Sequence, residues 1–153
     1  MLDNGWVTKH YKSPSGSVTI DEAIKNEFEA LTMFMNCPHF QQVIDVNYET
    51  KTLTTQYCGE PLGPHTSVKD EERQVERILN TLNKKGVTHR DVRPGNIMVK
   101  DGIMTLIDFE WAVWRGSPIE HHKAPESLGM KWRQARDKFN DEHSLKLSLE
   151  MRS

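Results

Sequence analysis

The pattern of polar and apolar residues predicts that the chain opens with a β-strand. Residues 6–12 alternate in polarity, as a strand with one buried face does. The side chains predicted to share one face are those of Val7, Lys9 and Tyr11. A cluster of Ser, Pro and Gly residues at 13–17 predicts a turn that ends this strand.

A helix and a hairpin are predicted next. Large apolar residues between Asp21 and Met35 recur at spacings of three and four, which predicts a helix with Thr19 or Asp21 as its N-cap. Residues 40–57 then predict two strands joined by a polar turn. Residues 1–57 are therefore predicted to form a small sheet with one helix.

Two Gly and two Pro residues within 58–65 interrupt this pattern. Neither residue type continues a strand or helix easily, so we predict a hinge without regular structure in this stretch. A second helix is predicted from about Ser67 to Lys85, with Gly86 as its C-terminal cap. The hinge therefore separates the first sheet from a region that begins with a helix.

A β-hairpin is predicted after the second helix. Asp101-Gly102 separates two short apolar runs, 96–100 and 104–109, and this order is a strong hairpin signal. The remainder, from about Ser127, is charged and predicted to be mostly helical. Residues 66–153 are thus predicted to be a helical region that carries one tight hairpin, and the whole chain an α+β fold.

Composition excludes several classes of protein. The chain has 153 residues, 36% of them hydrophobic, which is enough for one domain with a core. Its net charge of -2, with no basic stripe, argues against nucleic-acid binding. Cys37 and Cys58 stand apart and predict two reduced thiols. No signal peptide or long apolar run is visible, so we expect a cytoplasmic protein without a membrane span.

Three oxygen-bearing side chains are predicted to converge at one end of the hairpin. Asp91 precedes its first strand, Asn96 begins that strand, and Asp108 lies at the exit of the second. Mg²⁺ prefers such ligands and leaves positions open for water and substrate phosphates. The hairpin is therefore a candidate magnesium site in which one carboxylate remains free to act as a base.

These residues resemble the motifs of the protein kinases. His89-Arg90-Asp91, four residues and then Asn96 are similar to the catalytic-loop pattern H-R-D-x-x-x-x-N. Asp108-Phe109 is similar to the start of D-F-G. Eleven residues separate Asn96 from Asp108, a spacing that suits the hairpin of these enzymes.

Further fragments resemble the family in the same order along the chain. Residues 7–9 are similar to the V-A-I-K strand, 27–31 to the helix whose Glu pairs with its Lys, and 54–62 to the strand and hinge that hold adenine. Residues 124–126 match A-P-E, and 141–145 are similar to the start of the helix that supports the catalytic loop.

The resemblance implies roles for the matching residues. Asp91 would orient or deprotonate an acceptor hydroxyl, Lys9 would contact ATP phosphates, and His89 and Phe109 would pack together. The implied site residues are Asp91, Lys9 and Arg93 for catalysis, Lys9, Glu27, Gln56, Tyr57 and Cys58 for the nucleotide, and Asn96 and Asp108 for Mg²⁺.

The sequence also departs from the family pattern. No G-x-G-x-x-G precedes Lys9, and Glu110 stands where D-F-G has Gly. The "PGN" and "DFE" segments are similar to those of aminoglycoside, choline and lipopolysaccharide kinases. The resemblance therefore implies a truncated bilobal kinase-like fold, with a small N-terminal sheet plus helix and a reduced helical C-lobe.

Two functions are compatible with these motifs. The first is transfer of the γ-phosphoryl group of Mg-ATP to a hydroxyl of a small molecule, sugar or protein. The alternative is a catalytically inactive pseudokinase that binds a nucleotide or a protein. A reduced C-lobe would expose apolar surface, so a homodimer that covers it is a further expectation.

Overall fold

The computed structural model of the protein describes residues 5–12, 18–120 and 139–151. Its elements are β1 (Trp6–His10), α1 (Ile20–Met33), β2 (Val43–Asn47), β3 (Thr52–Gln56), β4 (Glu60–Pro61), α2 (Glu71–Lys85), β5 (Ile97–Lys100), β6 (Ile103–Leu106) and α3 (Asp141–Glu150). The A-P-E match at 124–126 and the first part of the stretch predicted to be mostly helical, 127–138, lie outside these ranges. None of the described helices has the length and apolar character needed to cross a bilayer.

The first sheet is antiparallel, with strand order β1-β3-β2. The hairpin predicted within 40–57 is confirmed, because β2 and β3 pair across a turn at 48–51. The strand predicted over 6–12 forms but ends at His10. β1 lies on the edge of this sheet, and its Lys9 side chain reaches the segment after β6.

A capping box begins α1 at the predicted N-cap, Thr19. Thr19 Oγ1 accepts a hydrogen bond from the Glu22 N–H at 3.1 Å, and Glu22 Oε1 accepts one from the Thr19 N–H at 2.9 Å. These bonds satisfy two N–H groups that a helix start leaves unpaired. The helix ends at Met33, two residues before the predicted end, and packs on the first sheet.

The stretch 58–65 contains a short strand, so the prediction that it lacks regular structure is wrong. Glu60 and Pro61 of β4 pair antiparallel with β5, which gives the second sheet the order β4-β5-β6. Pro61 is tolerated because it lies on an edge strand, where its missing N–H removes no ladder bond. Gly59 has φ +108°, and a Cβ atom there would collide with the Val99 carbonyl, so only glycine fits.

The second helix starts four residues later than predicted. Asp70 has φ +44°, a left-handed conformation that cannot belong to an α-helix. The Lys69 N–H donates instead to the Gly102 carbonyl at 2.9 Å, so this segment is held by the hairpin turn. α2 then runs from Glu71 and ends as predicted at Gly86, which has φ +67°.

The predicted hairpin at Asp101-Gly102 is confirmed. Both turn residues have positive φ, +53° and +80°, which is the geometry that joins two strands with the normal twist. β5 and β6 pair from Ile97 opposite Leu106 to Lys100 opposite Ile103. The hairpin therefore brings residues 96 and 107 side by side at its open end.

A stack of rings links the end of α1, the connection from α1 to β2, the loop that carries His89 and the loop after β6. Phe34 stacks on Phe40 with centroids 4.3 Å apart, and Phe109 lies 5.3 Å from Phe34. The His89 ring meets Phe109 edge-on at 4.6 Å, which confirms the predicted packing of these two residues. All four side chains are buried, so the stack forms the centre of the core.

Backbone hydrogen bonds join the two sheets at a second place besides the 58–65 connection. The Leu106 N–H donates to the His39 carbonyl at 2.8 Å, and the Gln41 N–H donates to the Leu106 carbonyl at 3.2 Å. Phe40, between these two residues, forms an isolated parallel bridge with Leu106. The connection from α1 to β2 is therefore fixed to β6, directly before the predicted metal-binding residue.

Candidate active site

Lys9 lies among three carboxylates. Its Nζ atom is 2.9 Å from Glu27 Oε1, 3.1 Å from Asp108 Oδ1 and 3.5 Å from Glu110 Oε2. Burial opposes the charged form, but the three carboxylates outweigh it and raise the pKa of Lys9 above its usual range. The predicted pairing of Lys9 with Glu27 is therefore present, and Lys9 is a permanent cation at this site.

Glu27 is the buried acceptor that connects three elements. Its side chain is 2% exposed. Oε1 accepts hydrogen bonds from Lys9 Nζ and from the Tyr11 hydroxyl, and Oε2 accepts one from the Phe109 N–H at 2.8 Å. A buried carboxylate needs such donors to offset its lost hydration. Glu27 thus ties β1 and the loop after β6 to α1.

Asp108 faces Lys9 from the other side. Its backbone has φ +63°, a conformation that Asp tolerates better than most residues. Burial disfavours the carboxylate, but the Lys9 ammonium beside it holds the pKa of Asp108 below its ordinary value. Asp108 is therefore an anion, and 30% of its side chain is exposed to incoming ligands.

Asp91 is almost fully buried in the catalytic loop. Asn96 Nδ2 donates to the Asp91 carbonyl at 2.9 Å and to Asp91 Oδ2 at 3.1 Å. Arg93 Nε lies 3.5 Å from Asp91 Oδ1 as an ion pair, yet outside hydrogen-bond geometry, so this oxygen has no donor within the described residues. Burial raises the pKa of Asp91, an effect that the positive charge of Arg93 opposes. Among the residues that the structure describes, one carboxylate oxygen thus has no hydrogen-bond donor, and it is shielded from solvent.

Hydrogen bonds fix the tautomer of His89. The Asp91 N–H donates to His89 Nδ1 at 3.0 Å, which makes Nδ1 the acceptor and assigns the ring proton to Nε2. Nε2 then donates to the Ile107 carbonyl at 2.8 Å. His89 therefore connects the loop that carries Asp91 to the segment that carries Asp108.

α3 supports the catalytic loop from the other side, as the resemblance implied. The Asp141 carboxylate accepts hydrogen bonds from the backbone N–H groups of His89 at 2.7 Å and Arg90 at 3.2 Å. Arg90 has φ +74°, and its Nε donates to the Trp111 carbonyl at 2.8 Å. The loop conformation is thus held by contacts on both of its faces.

Asn96 and Asp108 meet at the open end of the hairpin. The Ile107 N–H donates to the Asn96 carbonyl at 3.0 Å, which places Asp108 next to Asn96. Both hydrogen bonds of the Asn96 side chain use Nδ2, so Oδ1 remains available as a ligand. In the described part of the chain, no group of three or more His, Cys, Asp or Glu side chains could hold a metal. The side chains of Asp108 and Asn96 offer oxygen ligands of the kind that Mg²⁺ prefers. They would fit a Mg²⁺ whose remaining ligands are phosphate and water oxygens.

The three residues predicted to hold adenine follow the end of the first sheet. The Tyr57 N–H is bonded to the Gly5 carbonyl at 2.7 Å, and Cys58 Sγ donates to the Gln56 carbonyl at 3.3 Å. Burial raises the pKa of the Cys58 thiol to about 11. The backbone N–H and carbonyl of Cys58 have no hydrogen-bond partner among residues 5–12, 18–120 and 139–151. None of the three residues contacts the Lys9 cluster directly.

The sequence analysis did not assign two residues, Tyr11 and Asn26, to the site. Tyr11 was predicted on the same strand face as Lys9, but its bond to Glu27 requires the position of α1. Asn26 is fully buried, and its Nδ2 donates to the carbonyls of Glu110 at 3.0 Å and Ala112 at 2.7 Å. A polar residue on a helix carries no motif, so only its burial identifies it.

Comparisons with known proteins agree with this geometry. The model of the APH family, described as "Phosphotransferase enzyme family", matches residues 52–115. The dual specificity protein kinase Ttk of Danio rerio is 28% identical over 107 residues, which cover 58% of this chain and 10% of that protein.

A solved kinase structure has the same fold. The Cydia pomonella granulovirus kinase PK-1 matches with a TM-score of 0.55 at 16% identity, over 71% of this chain and 43% of that one. The chain thus spans less than half the length of either kinase. With the α+β arrangement and the motif order described above, these matches show a protein-kinase-like fold and support a relationship to the protein-kinase-like superfamily.

Proposed function

We propose that this chain is a phosphotransferase that moves the γ-phosphoryl group of Mg-ATP to a hydroxyl acceptor. The observation that carries the proposal is the 3.1 Å ion pair between Lys9 and Asp108, with Lys9 also held by Glu27 at 2.9 Å. A cation suited to phosphate, Lys9, and an anion suited to a metal ion, Asp108, thus lie side by side next to the loop that carries Asp91. The match of the phosphotransferase family to 52–115 supports the same chemistry at a coarser level.

Each residue of the cluster has a role in this reaction. Lys9 would exchange Asp108 for phosphate oxygens while it keeps Glu27, and Asp108 and Asn96 would hold Mg²⁺. When bound, Mg²⁺ neutralises charge on the transferring phosphoryl group. The backbone groups of Cys58 are open to the adenine edge.

Asp91 is the proposed base for the acceptor. Its free Oδ1 would accept the hydroxyl proton while the acceptor oxygen bonds to the γ-phosphorus and the bond to the ADP oxygen breaks. Arg93, 3.5 Å from that oxygen, would steady the carboxylate charge. Most of the rate enhancement in such a reaction comes from positioning and from fixed charges.

A small molecule or sugar is the first candidate for the acceptor, and a protein hydroxyl is the second. The resemblance of the "PGN" and "DFE" segments to small-molecule kinases supports the first candidate.

Calorimetric titration of Mg-ATP tests the nucleotide and metal site. The test variant is Asp108→Asn and the matched control is Asp101→Asn. Both aspartates have positive φ, +63° and +53°, which Asn also adopts, and both changes remove one negative charge from the same hairpin. We expect Mg²⁺-dependent binding to the wild type and the control but not to Asp108→Asn. Equal binding by all three proteins would refute the proposed metal site.

The rival function is a pseudokinase. One observation favours it: the Glu110 carboxylate lies 3.5 Å from Lys9 Nζ, where it would compete with a phosphate group for the ammonium. ADP release from Mg-ATP, measured with and without candidate sugars, separates the two functions. We expect Asp91→Asn to bind Mg-ATP and lose turnover, whereas a pseudokinase would bind without turnover in the wild type too.

A further inference from the structure

We propose that Tyr11 is a positioning residue that keeps Glu27 and Lys9 aligned for the phosphates of the nucleotide. The inference rests on the proposed function. It concerns a residue outside the motifs that relate this chain to the kinases.

The contacts of Tyr11 involve both members of the ion pair. Its hydroxyl donates to Glu27 Oε1, the same oxygen that accepts the bond from Lys9. Lys9 Nζ lies 4.9 Å from the centroid of the Tyr11 ring, within the range of a cation–π contact. The Tyr11 side chain is buried, and its backbone N–H donates to the Lys51 carbonyl at 2.9 Å. Tyr11 is therefore a fixed point against which the ion pair is held.

Lys9 needs such a fixed point because it has three carboxylate partners. Glu110 and Asp108 compete with Glu27 for the ammonium, at 3.5, 3.1 and 2.9 Å. When Asp108 binds the metal ion, Glu27 has to remain the partner that orients Lys9 towards the phosphates. Its carboxylate has one oxygen on the Phe109 N–H and the other on the Tyr11 hydroxyl. Loss of the hydroxyl leaves Oε1 with Lys9 as its one donor among the described residues, so the ammonium and this oxygen can move together.

The hydroxyl is suited to this task at all ordinary pH values. Burial, followed by the charge of Glu27, raises the pKa of Tyr11 far above its usual value. Tyr11 is therefore a neutral donor that adds a hydrogen bond without adding charge. A second cation at this position would instead compete with Lys9 for Glu27.

Binding of two ligands, measured for the wild type and for each variant, distinguishes a positioning role of Tyr11 from a purely structural one. Tyr11→Phe removes one oxygen atom and keeps the ring, and Tyr48→Phe is the matched control on an exposed turn. Calorimetry measures the dissociation constants of Mg-ATP and of adenosine, which has no phosphate for Lys9. We expect Tyr11→Phe to weaken Mg-ATP binding roughly tenfold, as loss of a hydrogen bond to a charged group does, with adenosine binding unchanged. Tyr48→Phe should change neither constant.

Other outcomes overturn the inference. Unchanged Mg-ATP binding by Tyr11→Phe shows that the hydroxyl does not position Lys9. Equal weakening of both ligands shows that Tyr11 supports only the fold. Thermal unfolding of each variant sets a titration temperature at which the protein is folded.

A measurement without nucleotide separates this inference from the proposed function. If the wild type does not bind Mg-ATP, the proposed function fails, and acylation of Lys9 by an amine-reactive ester then tests the contact itself. We expect Tyr11→Phe to accelerate acylation of Lys9 several-fold, read by peptide mass spectrometry, with Lys51 as the internal reference. Equal rates for Lys9 in both proteins would refute the role of Tyr11.

Discussion

Asn26 offers a sharp test of how α1 holds the segment that follows Asp108. Its amide donates to the Glu110 carbonyl at 3.0 Å and the Ala112 carbonyl at 2.7 Å. The segment between these two residues is thereby anchored to the helix that also carries Glu27. Asn26→Ala removes both bonds and leaves two carbonyls without their donor.

The expected loss in the free energy of unfolding of Asn26→Ala follows from the burial of the groups that lose their hydrogen bonds. Asn26 and Ala112 are fully buried, so each lost bond costs about 1.5 kcal/mol, between a net hydrogen bond and a fully unsatisfied group. Two effects oppose this loss: Ala has a helix propensity about 0.5 kcal/mol better than Asn, and Asn26 Oδ1, itself buried without a partner, is removed. The expected loss in the free energy of unfolding is about 2 kcal/mol.

Urea unfolding measures this loss. The matched control is Asn80→Ala, an exposed position within α2 that gains the same helix propensity without losing a buried bond. We expect a lower midpoint for Asn26→Ala at unchanged m-value, and no loss for Asn80→Ala. Free energies of unfolding for the two variants within about 0.5 kcal/mol would refute the view that this amide anchors the segment.

Four further results are expected. Gly59→Ala should lower the free energy of unfolding by about 2 kcal/mol or more, because Ala is strained at φ +108° and meets a β5 carbonyl. Gly63→Ala, where an added Cβ would make only an ordinary contact with the Pro61 carbonyl at 3.9 Å, should not; urea unfolding of both checks this. Cys58, with a pKa of about 11, should react with iodoacetamide at a rate that still rises above pH 9.5, where free cysteine has levelled; a plateau near pH 9 would contradict its burial. Asp141→Ala should lower the free energy of unfolding by roughly 2 kcal/mol through loss of two bonds to the catalytic loop, and Glu142→Ala, exposed on the same turn, should not; thermal unfolding compares them. Sedimentation at two protein concentrations should give a mass that rises with concentration, and a monomer at both would exclude the homodimer.

Local signals in the sequence were sufficient wherever one dipeptide or one cap determines the backbone. Thr19 begins α1 through the hydrogen bonds of its capping box. Gly86 ends α2 and Asp101-Gly102 turns the β5–β6 hairpin through left-handed conformations that few other residues adopt. The motif spacing also brought Asp108 next to the catalytic loop, because a tight hairpin of known length leaves its ends little freedom.

Contacts between segments that lie far apart along the chain could not be predicted from the sequence. β4 forms only because β5 offers a free edge beside it, although Pro61 alone argues against a strand. Asp70 is excluded from α2 by a bond of its neighbour to the hairpin turn. Tyr11 and Asn26 acquire their partners 16 and 84 residues away only when α1 packs on the first sheet and meets the segment after β6. In each case the tertiary environment outweighs the local preference.

The two connections between the sheets have a mechanical consequence. One is the covalent crossing at 58–65, and the other is the pair of hydrogen bonds around Leu106. These backbone links align the two sheets, and the bonds of Asn26 and Glu27 to the segment after β6 add to them. Lys9 and Asp108 form one more contact between the two halves of the chain, through side chains alone. Their ion pair is a contact between charges, so added salt weakens it, whereas the backbone bonds that align the sheets are not screened in this way.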